Sequence, residues 1–306
     1  CSYLIPYCHC DIAWTHSRRW HLNRYMLALE EALDLLDADP QFCYFIDTWT
    51  EMLRPCLERR PDLRERIAVH LATGRLALCG GHWGNLRMTQ VGNETIVRHL
   101  TMGRRRVREQ WPEFRPRVYA NMDVCIGHSQ VPQVLRLAGF EGYMAWRPSA
   151  YLDAQGVPRA FLWEGPGGQS IPVCRTCYGG LNALPEGRWG EDWAETLRLL
   201  GPDLPRWAQQ EAVWALPIFV GMDDTRPLRT CGRDVPCRAD ELIDAWETEG
   251  IGTMRWGTPE HLFDRVRDDD LPTVRGILDE AEVCYNLNWF GHRGLAWWRE
   301  KADRAL

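Results

Sequence analysis

The chain has 306 residues, 45% of them apolar and 25% charged, the balance of an ordinary globular protein and far from disordered or fibrous compositions. A formal charge of -6, with no basic stripe interleaved with aromatics, argues against nucleic acid as a partner, and the lack of any run of about 18 apolar residues argues against a membrane span. The length suits a single α/β barrel, a fold that routinely exceeds about 200 residues as one unit.

In chain order, residues 2–7 are a short apolar run, and 22–37 carry Tyr25, Met26, Leu29, Ala32, Leu33 and Leu36 at helical spacing, so the chain opens strand then helix. Residues 42–46 read as a second strand, 61–72 as a helix opened by Pro61 and closed by Gly74, and 75–79 as a third strand. A helix at 93–110 precedes strand four at 117–121, and a helix at 131–138 precedes strand five at 142–145. Residues 159–175 break the rhythm, because two apolar runs flank the turn-rich stretch from Glu164 to Gly168; they read as a hairpin excursion from the main architecture. Helices at 191–200 and 204–211, strand six at 213–220, a helix at 240–248, strand seven at 252–255 and a helix at 259–267 complete the series. Strands separated by helices imply βαβ units, and seven of them predict an α/β fold closed as a seven-stranded (β/α) barrel, with a doubly wound open sheet as the alternative. The barrel is assigned residues 1–285, and residues 286–306 are read as the start of a following helical region, cut short.

The chain begins at Cys1 rather than Met, so the true N-terminus is expected to be missing and a signal peptide is left open. Twelve cysteines are scattered through it, with Cys43, Cys79 and Cys174 inside predicted strands, and buried reduced thiols and cytoplasmic residence are the expectation. Cys174 and Cys177 form a single CxxC without the second pair that a zinc ribbon needs.

In a barrel of this kind the chemistry sits at the carboxyl ends of the strands. After strand one come His9, Asp11 and Trp14; after strand two Asp47, Trp49 and Glu51; after strand three His82 and Trp83. Asp123 follows strand four, Trp146 and Arg147 strand five, Asp223 and Asp224 strand six, and Trp256 strand seven. Ligand-type groups, carboxylates and aromatics thus share one predicted rim. On extended backbone an HxD pair turns both side chains to the same side, which lets one cation be held by an imidazole nitrogen and a carboxylate oxygen. The bland reading of such a pair is a loop hydrogen bond, that of Asp123 a helix cap, and that of the tryptophans packing.

The string from Cys8 to Trp14 resembles the HxDxxW element that opens the catalytic domain of family 38 glycoside hydrolases. Residues 74–83 resemble that family's third-strand segment, Gly92 to Gly103 its following helix, and Asp123 with Gly127-His128-Ser129, Pro132 and Gly139 its nucleophile segment. The match is densest over residues 3–147. The resemblance implies a barrel of the glycoside hydrolase/deacetylase type and a zinc-dependent, retaining, α-mannosidase-like hydrolase of carbohydrate. It implies zinc on His9, Asp11 and Asp123, with Asp123 also the nucleophile, Asp224 the acid/base and Asp223 its neighbour. Trp14, Trp49, Trp83 and Arg147 are expected to shape the sugar pocket. The chain departs from the family where Asn85 to Thr89 replace an acidic residue and where no motif matches a fourth zinc ligand, a histidine beyond the barrel. The other readings are a carbohydrate deacetylase-type metallohydrolase and a non-catalytic sugar-binding protein. A homo-oligomer is compatible with all three.

Overall fold

A computed structural model describes residues 2–11, 15–47, 50–78, 80, 83–84, 86, 88, 91–124, 127–175, 216–229, 236, 238–265 and 271–278. The elements among them are β1 (Ser2–His9), α1 (Arg18–Ala38), β2 (Tyr44–Asp47), α2 (Thr50–Arg59), α3 (Leu63–Ala72), β3 (Leu76–Leu78), α4 (Asn93–Gln110), β4 (Val118–Asn121) and α5 (Val131–Leu137). They continue with β5 (Gly142–Ala145), α6 (Ser149–Ala154), β6 (Ala160–Glu164), β7 (Ser170–Arg175), β8 (Leu216–Val220), α7 (Ala239–Thr248), β9 (Met254–Trp256), α8 (Pro259–Phe263) and β10 (Thr273–Arg275).

β1 is buried along its whole length, as a strand apolar on both faces must be. Tyr3, Ile5 and Tyr7 join one apolar cluster, while Leu4 and Cys8 join another built with Leu22, Tyr25, Leu29 and Leu33 of α1. α1 starts earlier than its apolar spacing indicates because Ser17 caps it, its hydroxyl accepting the Trp20 N–H at 3.2 Å. α2 is not expected from the sequence because it carries Pro55 internally, a residue that removes a donor and normally argues against a helix interior. Burial of Met52, Leu53, Cys56 and Leu57 outweighs that cost.

The sequence leads one to expect a closed seven-stranded ring; the described strands form two five-stranded sheets. In the first the order is β3-β2-β1-β8, with β9 also on β1, and every pairing is parallel. In the second the order is β10-β6-β7-β5-β4, parallel except for β6 against β7. β3 is only three residues long, and Gly80 beyond it has a φ of 89°. A single backbone bond, Gly80 N–H to the Val118 carbonyl at 2.8 Å, therefore links the β3 edge to β4, and no ladder joins the sheets among the described residues. The expected hairpin at 159–175 forms, with β6 antiparallel to β7, but it is not an excursion: β7 pairs parallel to β5 with Tyr143 opposite Val173, and β6 in turn carries β10.

Both sheets nevertheless face one core. Tyr3, Ile5 and Tyr7 of β1, Phe45 of β2, Ala77 of β3, Val118 and Ala120 of β4, Met144 of β5, Cys174 of β7 and Phe219 of β8 form one cluster. Cys8, Cys10, Cys43, Cys56 and Cys174 are buried free thiols, while Cys177 of the CxxC lies outside the described residues. The predicted helices at 191–200 and 204–211 and the region 286–306 also lie outside them. No helix among the described residues is long and apolar enough to cross a membrane.

Candidate metal centre and carboxylate cluster

Parallel strands bring their carboxyl ends to one side, so residues far apart in sequence meet there. His9 is the last residue of β1 and Asp47 the last of β2; Asp123 follows β4, Arg147 follows β5, and Asp223 and Asp224 follow β8. The β1–β8 register runs past the strand into a bridge between His9 and Asp223. There the His9 N–H donates to the Met222 carbonyl at 3.2 Å, and the Asp224 N–H donates to the His9 carbonyl at 2.7 Å. Gly221, at φ 140°, permits this close approach, because a Cβ there would collide with the Tyr7 carbonyl. Asp224 then adopts φ 52°, a left-handed conformation uncommon outside glycine, which turns the chain off the strand.

His9, Asp11 and Asp123 each present one ligand-type atom, and these atoms lie within 4.8 Å of one another. The buried His9 ring holds Asp47 Oδ2 at 2.7 Å through Nδ1 and turns Nε2 toward Asp11 Oδ1 at 3.8 Å. A carboxylate on one ring nitrogen fixes the tautomer and presents the other nitrogen to a cation. One imidazole with two carboxylates is a donor set that suits a divalent metal, with room left for further ligands. Arg147 donates from Nε to Asp123 Oδ1 at 2.8 Å, and its guanidinium lies 4.2 Å from the centre of the Trp146 ring.

A second pair of contacts anchors the loop after β8. The Asp224 carboxylate sits 3.0–3.1 Å from Nδ1 of His21, and its carbonyl accepts from Arg24 Nε at 2.7 Å. Arg226 pairs with Glu31 on the same helix.

The cluster perturbs its own titration. Burial works against a charged His9, but the hydrogen bond from Asp47 and the negative charges of Asp47, Asp123 and Asp223 outweigh it, and the ring is pushed up to about 10. Burial, with Asp11, Asp123 and Asp224 adding to it and His9 opposing, pushes Asp223 up to about 7. Burial is also the main cause raising Asp11. The sign of the pH effect on metal-free protein follows. Against its reference of 3.8, Asp223 holds a proton in the fold that the unfolded chain has shed, so stability falls as pH rises from about 4 to about 7. Against its reference of 6.5, His9 does the same from about 6.5 to about 10. Burial holds His99, His128 and His261 below their reference of 6.5, and they act in the opposite sense below that pH, so the test is a difference between proteins. The thermal midpoint of metal-free parent minus that of Asp223→Asn is expected to fall as pH rises from about 4 to about 7; a difference that stays constant or rises would contradict the charge pattern.

Of the residues singled out from sequence, His9, Asp11 and Asp123 come together as a set, Arg147 binds Asp123, and Asp223 and Asp224 border the set. Trp83 is half-buried and its N–H donates to the His99 carbonyl of α4 at 3.3 Å, with no bond to the cluster among the described residues. Trp14 and Trp49 lie outside the described residues. Sequence reasoning places Asp47 on the rim without a role and passes over His21 and Arg24. The available signal for those two is a polar pair three residues apart on the first helix, beside the apolar positions Leu22 and Tyr25.

The family described as Glycosyl hydrolases family 38 N-terminal domain matches residues 2–288 of the chain that builds this cluster. Alpha-mannosidase G of Dictyostelium discoideum is 25% identical over 169 residues, 55% of this chain and 15% of that protein. The structure of an alpha-mannosidase from Enterococcus faecalis V583 superposes with a TM-score of 0.73 at 20% identity, covering 90% of this chain and 30% of that one. A GH57-type branching enzyme from Pyrococcus horikoshii gives 0.63 at 11% identity, over 99% and 78% of the two chains. The two mannosidases are thus much longer than this chain, which spans less than a third of either.

Proposed function

The chain belongs to family 38 of the glycosyl hydrolases, as its N-terminal domain, and on that premise we propose that it carries the metal-binding part of a zinc-dependent, retaining, α-mannosidase-like hydrolase of carbohydrate. The observation that carries the reading is the convergence of His9, Asp11 and Asp123 within 4.8 Å at the carboxyl ends of parallel strands. An imidazole beside carboxylates favours zinc over magnesium or calcium, which prefer all-oxygen sets. The apolar core shared by seven strands and the bond from Gly80 to Val118 support a barrel whose mouth is this cluster.

When bound, zinc supplies a fixed positive charge that grips sugar hydroxyls and pins the ring. The Asp123 carboxylate, aimed by Arg147, attacks the anomeric carbon as the bond to the leaving oxygen breaks. Asp224 gives that oxygen a proton, and then takes one from the water that releases the sugar from Asp123. Asp47 is outside the grouped ligand set of His9, Asp11 and Asp123 and holds the His9 ring in place. A second reading moves the proton donor to Asp223, favoured by its displacement to about 7.

Elemental analysis with an assay on 4-nitrophenyl α-mannoside tests the proposal. It requires near-stoichiometric zinc and a first-formed sugar of retained configuration by NMR; an inverted product, or turnover undiminished by chelator, would refute it. Asp47→Ala is expected to weaken zinc binding about 10–100-fold in a competition titration with a chromophoric chelator. An unchanged affinity would mean that Asp47 does not orient His9.

A further inference from the structure

We propose that His21 is a positioning residue, which fixes the carboxyl of Asp224 for proton transfer. The inference rests on the reading of Asp224 as the acid/base.

His21 lies on the buried side of α1 with no exposed surface, next in sequence to Leu22, which shares an apolar cluster with Leu4 and Cys8 of β1. Its Nδ1 stands 3.1 Å and 3.0 Å from the two carboxyl oxygens of Asp224. Its Nε2 accepts the backbone N–H of His16 at 3.3 Å. An accepting Nε2 carries no proton, so the neutral ring carries its proton on Nδ1 and donates it to Asp224. The grip is double, because Arg24, three residues along the same helix, donates to the Asp224 carbonyl at 2.7 Å. Outside the ring, His16 stacks on Trp20 at 3.9 Å, and Trp20 meets His21 edge-on at 5.0 Å, which shields the contact.

The arrangement meets two requirements at once. Asp224 adopts a left-handed turn as the chain leaves the His9–Asp223 bridge, and the bridge holds its backbone but not its side chain, so the carboxyl needs an external fix. A neutral donor provides it without burying a second charge. One N–H shared between the two carboxyl oxygens also leaves a lone pair on the carboxyl to carry the proton that goes to the leaving oxygen.

A misplaced acid is felt only when the leaving group needs a proton. His21→Leu is therefore expected to lower kcat on an α-linked mannobiose by on the order of 10²-fold while leaving 2,4-dinitrophenyl α-mannoside nearly unaffected. His21→Asn, whose amide nitrogen stands near the place of Nδ1, is expected to recover most of the loss, and both variants are expected to keep their zinc. Equal losses on both substrates, or no recovery with His21→Asn, overturn the positioning role. Asp224→Asn is run in parallel: if it lacks the same leaving-group dependence, the acid/base reading itself fails and His21 has nothing to position. Should His21→Leu not fold, ¹⁵N spectra of the parent ring decide. The Nδ1-protonated neutral form supports the proposal, and the Nε2-protonated form overturns it.

Discussion

Replacing Asp123 by alanine is expected to abolish hydrolysis, with a fall on the order of 10⁴–10⁶-fold in kcat, the range found when a nucleophile is deleted from a unit that works as a whole. The size follows from its two duties. Asp123 is proposed to form the covalent bond to the sugar, and it is one of three groups within 4.8 Å that could hold the metal. Its carboxylate is held by Arg147 at 2.8 Å, so no nearby carboxylate could take its place without losing that alignment. The two duties separate experimentally. A fluorinated, activated mannoside should trap an adduct in the parent, located by peptide mass spectrometry to the segment holding Asp123. Metal content of Asp123→Asn then reports the ligand duty alone. An adduct on any other carboxylate would remove Asp123 from the nucleophile position, whatever its effect on zinc.

The next largest effect is expected at the pair after β8. Loss of a general acid costs typically 10²–10⁴-fold when the leaving group is poor and little when it is good. Asp224→Asn is expected to show this pattern, with added azide restoring turnover of 2,4-dinitrophenyl α-mannoside as the mannosyl azide. Asp223→Asn is expected to lose less and to change mainly the pH dependence, because Asp223 is half-buried beside His9 and pushed up to about 7. If instead Asp223→Asn shows the leaving-group dependence and azide rescue, the proton donor is Asp223, one position earlier, and Asp224 is left as its neighbour.

Both experiments address residues that the amino-acid sequence singles out unaided, and the reason is local. His9 and Asp11 lie two apart at the end of an apolar run, and Asp123 and the pair Asp223–Asp224 each close such a run, so strand ends and ligand-type residues can be read together from the chain. The alternation of strands and helices is legible in the same way, since apolar periodicity is a property of neighbouring residues. α2 escapes it because Pro55 speaks locally against a helix that only burial of Leu53 and Leu57 makes favourable.

What the tertiary structure alone decided is everything that depends on partners distant in sequence. No spacing rule links Asp47 to His9, or His21 to Asp224 across 203 positions; these contacts exist because parallel pairing carries separate strand ends to one place and α1 packs against them. The same holds for β7, whose turn-flanked sequence reads as a hairpin arm but whose parallel partner β5 brings it into the sheet. It holds too for the edge between the three-residue β3 and β4, where among the described residues one hydrogen bond, from Gly80 to Val118, stands in place of a ladder. Local periodicity fixes which residues form elements and which cap their ends; hydrogen-bond pairing and burial between distant segments fix which of those ends meet, and so which side chains share a proton or a metal.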